Sequence, residues 1–242
     1  MANVIFYGFL SVLPLIVGAV LGYKFQIKGK IIGGIASFGA GAMIAALAFG
    51  LMEESFRLGG LDNSIIGFVV GGLLFVLGDL AIIRIGGRGH KKYYDVESST
   101  GWGIVLGAAL DGIPESIALG LGLLLNQNLG LLVLAGIFLS NLPEAISSAY
   151  DLKSAKKSFR EVMFTWIIVA LVSMIFVILG YTIFASFSPD TIATFESLAA
   201  GAILAMLAST MMPEAYKESG TSVSILTVLG FMVIFILSKL GA

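Results

Sequence analysis

Cysteine is absent from the 242 residues, which excludes disulfides and thiolate metal sites. Histidine occurs once, as His90. Charged residues are only 12% of the chain, about half the share of an ordinary soluble domain. The net charge of −1 gives no bulk attraction for nucleic acid. There is no Gly-rich phosphate loop, no nucleophile beside a base and no nucleotide-binding motif, so neither an enzyme nor an ATP-driven pump is expected. Met1-Ala2-Asn3 lacks a basic flank, so the first apolar run is expected to be a retained span rather than a cleaved signal peptide.

Apolar surface is what the chain has in excess. Hydrophobic residues make up 58% and the mean hydropathy is +1.02, more than a soluble protein of this length could cover. Glycine, at 31 residues, is abundant, as in membrane helices. A bilayer core takes about 20 apolar residues of helix. Eight such runs are present, at 3–23, 31–53, 65–84, 101–125, 129–151, 161–184, 194–216 and 222–240. Gly59-Gly60, Gly86-Gly87 and Asn126-Gln127-Asn128 mark turns between them. The expectation is an all-α integral membrane protein, a single transmembrane domain over residues 1–242.

Basic residues set the orientation. With the N-terminus outside, the inner side receives Lys24, Lys28, Lys30, Arg84, Arg88, Lys91, Lys92, Lys153, Lys156, Lys157, Arg160 and Lys217, and the outer side only Arg57 and Lys239. This bias predicts both termini outside. Trp102 and Trp166, near inner span ends, are expected to be interfacial anchors, and Asp79 is expected either to pair locally with Arg84 or to mark a solvated helix end.

Spans two and seven resemble each other at an offset of 160 residues. Ser37, Ala40, Gly41, Ala42, Ala45, Leu47, Ala48, Met52 and Glu54 recur as Ser197, Ala200, Gly201, Ala202, Ala205, Leu207, Ala208, Met212 and Glu214. In the topology above the two copies run in opposite directions. The implied plan is three plus two plus three, with spans 1–3 and 6–8 as an inverted repeat, an arrangement typical of alternating-access transporters.

Spans four and five, outside that repeat, carry acids at mid-membrane depth: Asp111-Gly112-Ile113-Pro114-Glu115 and Ser140-Asn141-Leu142-Pro143-Glu144. Ionisable groups there cost a few kcal/mol and turn toward a protein interior or wet cavity. Asp111 and Glu115, four apart, share a helix face, as do Ser140, Asn141, Glu144 and Ser148. Pro114 and Pro143 release the carbonyls of Leu110 and Leu139 from helical bonding, and such carbonyls are tolerated where they line a cavity. No Lys or Arg falls at this depth. Either protonation, favoured by burial and mutual repulsion, or a bound cation must offset the three acids. Asp111, Glu115, Ser140, Asn141 and Glu144 are the candidate cation ligands.

The paired x-Pro-Glu motifs, with eight spans and both ends outside, resemble the ZIP family of divalent-metal transporters over the whole chain. The family pattern in span four, His-Asn-x-Pro-Glu, is matched here by Asp111, Gly112, Ile113, Pro114 and Glu115. In span five Ser140 stands for the family's His or Gln, and Glu144 for its glutamate. The resemblance implies a divalent metal as substrate, moved into the cytoplasm across a plasma membrane, and a homodimer. It also implies acids near the two pathway mouths, for which Glu53, Glu54 and Glu214 are the candidates. Both family histidines are replaced, and His90 falls in the 85–100 loop as a solvated residue. The remaining oxygen ligands suit Mg²⁺, Mn²⁺ or Ca²⁺ better than imidazole sites do, although Zn²⁺, Fe²⁺ and Cd²⁺ stay open. Two alternatives use the same acids differently: a proton-linked transporter of a small organic solute, and a non-transporting membrane scaffold or sensor.

Overall fold

The structure, a computed structural model, describes residues 1–84 and 101–240 in backbone and 107–240 of the second stretch in side-chain surroundings. His90, the Gly86-Gly87 turn and the side chain of Trp102 lie outside the described residues. All regular structure among the described residues is helical: α1 (Ala2–Lys24), α2 (Gly29–Ala46), α3 (Glu53–Arg84), α4 (Gly101–Leu125), α5 (Gln127–Ser154), α6 (Phe159–Thr182), α7 (Pro189–Met206), α8 (Met212–Ser219) and α9 (Ser222–Leu240). A π turn, Leu47–Met52, joins α2 to α3, and a second, Leu207–Met211, joins α7 to α8. Among the described residues seven continuous helical stretches are long and apolar enough to cross a bilayer. The chain is a multi-pass membrane protein.

One of those stretches, Gly29–Arg84, has 56 residues and does not run straight. Gly60 adopts φ 72°, ψ −172°, a conformation that glycine reaches without steric cost. The Ser55 and Ser64 hydroxyls then meet at 2.9 Å, whereas nine residues of unbroken helix would hold them about 13.5 Å apart along the axis. The chain therefore folds back at the predicted Gly59-Gly60 turn. Gly220, with φ 59°, makes the corresponding break between α8 and α9. The third predicted turn is tighter than expected: only Asn126 separates α4 from α5, and its side chain caps α5 by accepting from the Asn128 N–H at 2.9 Å.

Helices pair along small residues. In lipid there is little hydrophobic gain from bringing helices together, so close backbone approach supplies the attraction. α2 lies along α9, α3 along α7, α1 along α5 and α4 along α6. At Gly41 a Cβ would sit 2.7 Å from the carbonyl carbon of Thr227 on α9; at Gly201 one would sit 2.8 Å from that of Phe68 on α3. The interior is built from α2, α5 and α7, rich in buried Ala, Gly and Ser. The outside is the reverse of a soluble surface. Ile65, Ile66, Leu73 and Leu77 on α3, and Ile225, Val228 and Ile236 on α9, are exposed, as lipid-facing positions should be. Trp166 departs from the expected anchor role. It is 1% exposed, because its position two turns into α6 faces the core formed with α1 and α5 rather than the membrane surface.

Candidate functional site

Pro114 and Pro143 both lie inside unbroken helices, α4 and α5. The carbonyl of Leu139, released by Pro143, is covered by α2: a Cβ at Gly39 would come within 2.6 Å of its oxygen. Glycine at this position lets the α2 backbone pack directly against that carbonyl. The same stretch of α5 turns Ser140 and Asn141, 1% and 7% exposed, into the protein.

The candidate acids are distributed around two cavities. The smaller, about 10 Å³, is bordered by Glu115, Asn141, Glu144, Ser11, Ser116 and Trp166, and its volume is that of about one water molecule. Ser140 donates to the Glu115 carboxylate at 3.3 Å and to the Ile137 carbonyl at 3.0 Å, and Asn141 donates to the Ser11 carbonyl at 3.2 Å. The Trp166 indole N–H, buried at the edge of this cavity, has no hydrogen-bond partner within the protein. The larger cavity, about 200 Å³, is lined by Asp111 and Glu144 at one end and reaches Asp151, Glu214, Lys217 and Glu218. Lys217 and Glu218 are exposed, so the cavity runs from a helix terminus to the middle of α4 and α5.

Glu144 borders both cavities and is the link between them. Glu115 is fully buried and lies within electrostatic reach of Glu144 and Asp111. Among the described residues, no group of three or more His, Cys, Asp or Glu side chains is placed to hold one metal ion together. In this conformation the five candidate ligands thus divide: Glu115, Asn141 and Glu144 border the small cavity, Ser140 reaches it through its hydrogen bond to Glu115, and Asp111 faces the large one with Glu144.

The mouth acids separate in a similar way. Glu214 lines the large cavity. Glu53 is exposed. Glu54 accepts from both Nε and Nη2 of Arg57, an ion pair that leaves the glutamate side chain 17% exposed. Asp151, Thr210 and Glu218 also line the large cavity, and none was marked by a motif; Asp151 and Glu218 lie at span ends, where polar residues are ordinary, and Thr210 is a single hydroxyl within the seventh run. Glu196 on α7, at 0% exposure with neither carboxylate oxygen hydrogen-bonded, is the other ionisable group in the interior. An acid near the start of the seventh apolar run, set among small residues, was the available signal for it. No family model matches the chain and no curated protein matches it in sequence.

Proposed function

We propose that the protein transports divalent cations into the cytoplasm, with Glu144 handing the ion from the small midplane cavity to the large one. The observation that carries this reading is the large cavity itself. It connects exposed Lys217 and Glu218 to Asp111 and Glu144 in the centre of two apolar helices, and carboxylates recur along it at Asp151 and Glu214. An acid-lined path to bilayer depth is costly to build and serves a cation. Glu115, Glu144, Asn141 and Ser140 supply oxygen ligands only. Such a set favours harder ions such as Mn²⁺, Mg²⁺ or Ca²⁺, with Zn²⁺, Fe²⁺ and Cd²⁺ as further candidates.

Eight crossings in an inverted three-two-three plan fit this reading. The 56-residue stretch would count twice, divided at Gly60. Features 160 residues apart support the repeat: the π turns begin at Leu47 and Leu207, the positive-φ glycines are Gly60 and Gly220, and Ser37 and Ser197 each donate to a carbonyl four residues back. Gly41 meets α9 as Gly201 meets α3. On the positive-inside bias the large cavity opens to the cytoplasm. The conformation is then inward-facing, and the termini lie outside a plasma membrane.

The test is uptake into proteoliposomes across a panel of Mn²⁺, Zn²⁺, Cd²⁺, Fe²⁺, Ca²⁺ and Mg²⁺, with Glu144→Gln as the control. The variant keeps size and hydrogen bonding but loses the charge, and uptake should fall to the level of empty vesicles. Parent-like flux in Glu144→Gln would refute the assignment of Glu144. Uptake that follows pH and ignores every metal would favour a proton-linked organic solute, and no flux at all a scaffold.

A further inference from the structure

Glu196 is used by nothing described so far. It sits in the second turn of α7, flanked by Ala193 and Ala200, all three at 0% exposure. Ala193 on the same face accepts from the Ser55 hydroxyl at 2.8 Å, so this face looks onto the first turns of α3. The charged groups that reach Glu196 are Glu54 and Arg57 of that segment. The π turn Leu47–Met52, which also packs against α7, contains no ionisable side chain; α4 meets α7 through apolar residues such as Leu110, Ile113, Ile117 and Leu121, and its acids Asp111 and Glu115 border the two cavities described above. Arg57 is committed to Glu54, through Nε at 2.8 Å and through Nη2. Both Glu196 oxygens are thereby left buried without a donor. An ionised carboxylate in that position would forfeit its hydration for nothing, whereas the neutral acid is far cheaper to bury.

The repeat spacing gives the cluster a place in the pathway. Subtracting 160 from Glu214 and Lys217, which line the open cavity, gives Glu54 and Arg57; adding 160 to Ala36, which also lines it, gives Glu196. The three residues therefore occupy, on the outer side, the positions that form the inner cavity's wall. Here that wall is closed.

We propose that Glu196 and Glu54 form an outer cation site that exchanges protons for the ion. While the outer half is closed, Glu196 holds a proton and Arg57 neutralises Glu54. When that half opens and hydrates, Glu196 releases its proton to the outside water. The two carboxylates then take the incoming divalent cation as Arg57 swings to solvent, where it is already 67% exposed. This inference rests on the transport reading and adds the group that couples external pH to loading.

Two measurements test it on the full chain. The first is infrared difference spectroscopy of the purified protein at neutral pH: the parent should show a carboxylic-acid carbonyl band that Glu196→Gln removes. The second is Mn²⁺ or Zn²⁺ uptake by proteoliposomes over a range of external pH, for the parent, Glu196→Gln and Glu144→Gln. Glu196→Gln should raise the external half-saturation concentration about tenfold, the equivalent of one charged contact, and flatten its dependence on external pH. A band unaltered in Glu196→Gln would overturn the proposal. So would an unaltered half-saturation and pH slope in that variant while Glu144→Gln abolishes uptake, and the transport reading would then survive. No uptake by the parent itself would overturn both.

Discussion

Gly41 and Gly201 offer a quantitative test of how the helices are held together. Gly41→Ala adds one methyl group whose carbon would lie 2.7 Å from the Thr227 carbonyl carbon and 2.9 Å from its Cα. Gly201→Ala places one 2.8 Å and 3.0 Å from the same atoms of Phe68. Backbone cannot rotate away as a side chain can. Restoring ordinary contact near 3.5–4 Å requires α2 and α9, or α7 and α3, to separate by about 1 Å. The cost of such overpacking is about 1–3 kcal/mol, with further loss of contacts along the seam as the helices part. At roughly 2–4 °C per kcal/mol for a chain of this length, each variant should lower the midpoint of thermal aggregation by about 2–12 °C. The assay is size-exclusion after heating in detergent, with Gly72→Ala as control. The nearest atom to a Cβ there is 3.6 Å away, so that variant should match the parent or exceed it, since alanine is the better helix former. If Gly41→Ala and Gly201→Ala were as stable as Gly72→Ala, the close-approach account would be wrong. A large loss in one and none in the other would count against the proposed repeat.

Three further outcomes are expected. Gly60→Ala and Gly220→Ala meet nothing within 4 Å, so their cost is backbone strain alone, about 1–3 kcal/mol each, and double that when combined; a parent-like melting temperature for Gly60→Ala would contradict the fold-back geometry. Ser140→Ala removes the 3.3 Å hydrogen bond to Glu115 and should weaken cation binding several-fold with little change in stability, measured by isothermal titration with Mn²⁺; unchanged affinity would take Ser140 out of the ligand set. Asn126→Ala deletes the cap of α5 and should cost about 1 kcal/mol, read from the same thermal assay, while leaving uptake at the parent level.

Much of the helical layout was legible because lipid imposes length and polarity on each span. The Gly59-Gly60 and Asn126 breaks could be located from residue type alone. Continuity was not legible. The fold-back at Gly60 leaves α3 with no terminus of its own, so one stretch of 56 residues stands where two apolar runs were expected. Asp111, Glu115, Ser140, Asn141 and Glu144 were legible as candidates because acids beside Pro at mid-span have no packing rationale. Their division between two cavities was not, since helix periodicity fixes a face and leaves open what stands opposite. Trp166 misled for the same reason: a residue two turns into α6 is interfacial by position, yet its neighbours from α1 and α5 enclose it. Glu196 precedes Ser197, where the sequence match between spans two and seven begins, and its counterpart is Ala36, so the comparison that exposed Glu54 and Glu214 passed it by.

The two π turns connect this geometry to the proposed pathway. An α-helix advances about 100° per residue, so eight residues of regular helix would turn Glu214 about 80° away from Met206. Both line the large cavity, and the wider turn across Leu207–Met211, by inserting one residue, cuts that angle to about 20°. The insertion brings Glu214 onto the face that Met206 presents. The equivalent turn at Leu47–Met52 acts on Glu54 and Arg57 in the same sense. π turns weaken local hydrogen bonding and survive mainly at functional positions. Here one borders an open cavity and the other a closed, buried cluster. If the two halves alternate, the π turns are where α2 and α7 can change the aim of their acids without breaking the α2–α9 and α3–α7 seams, whose glycine contacts leave little room to slide.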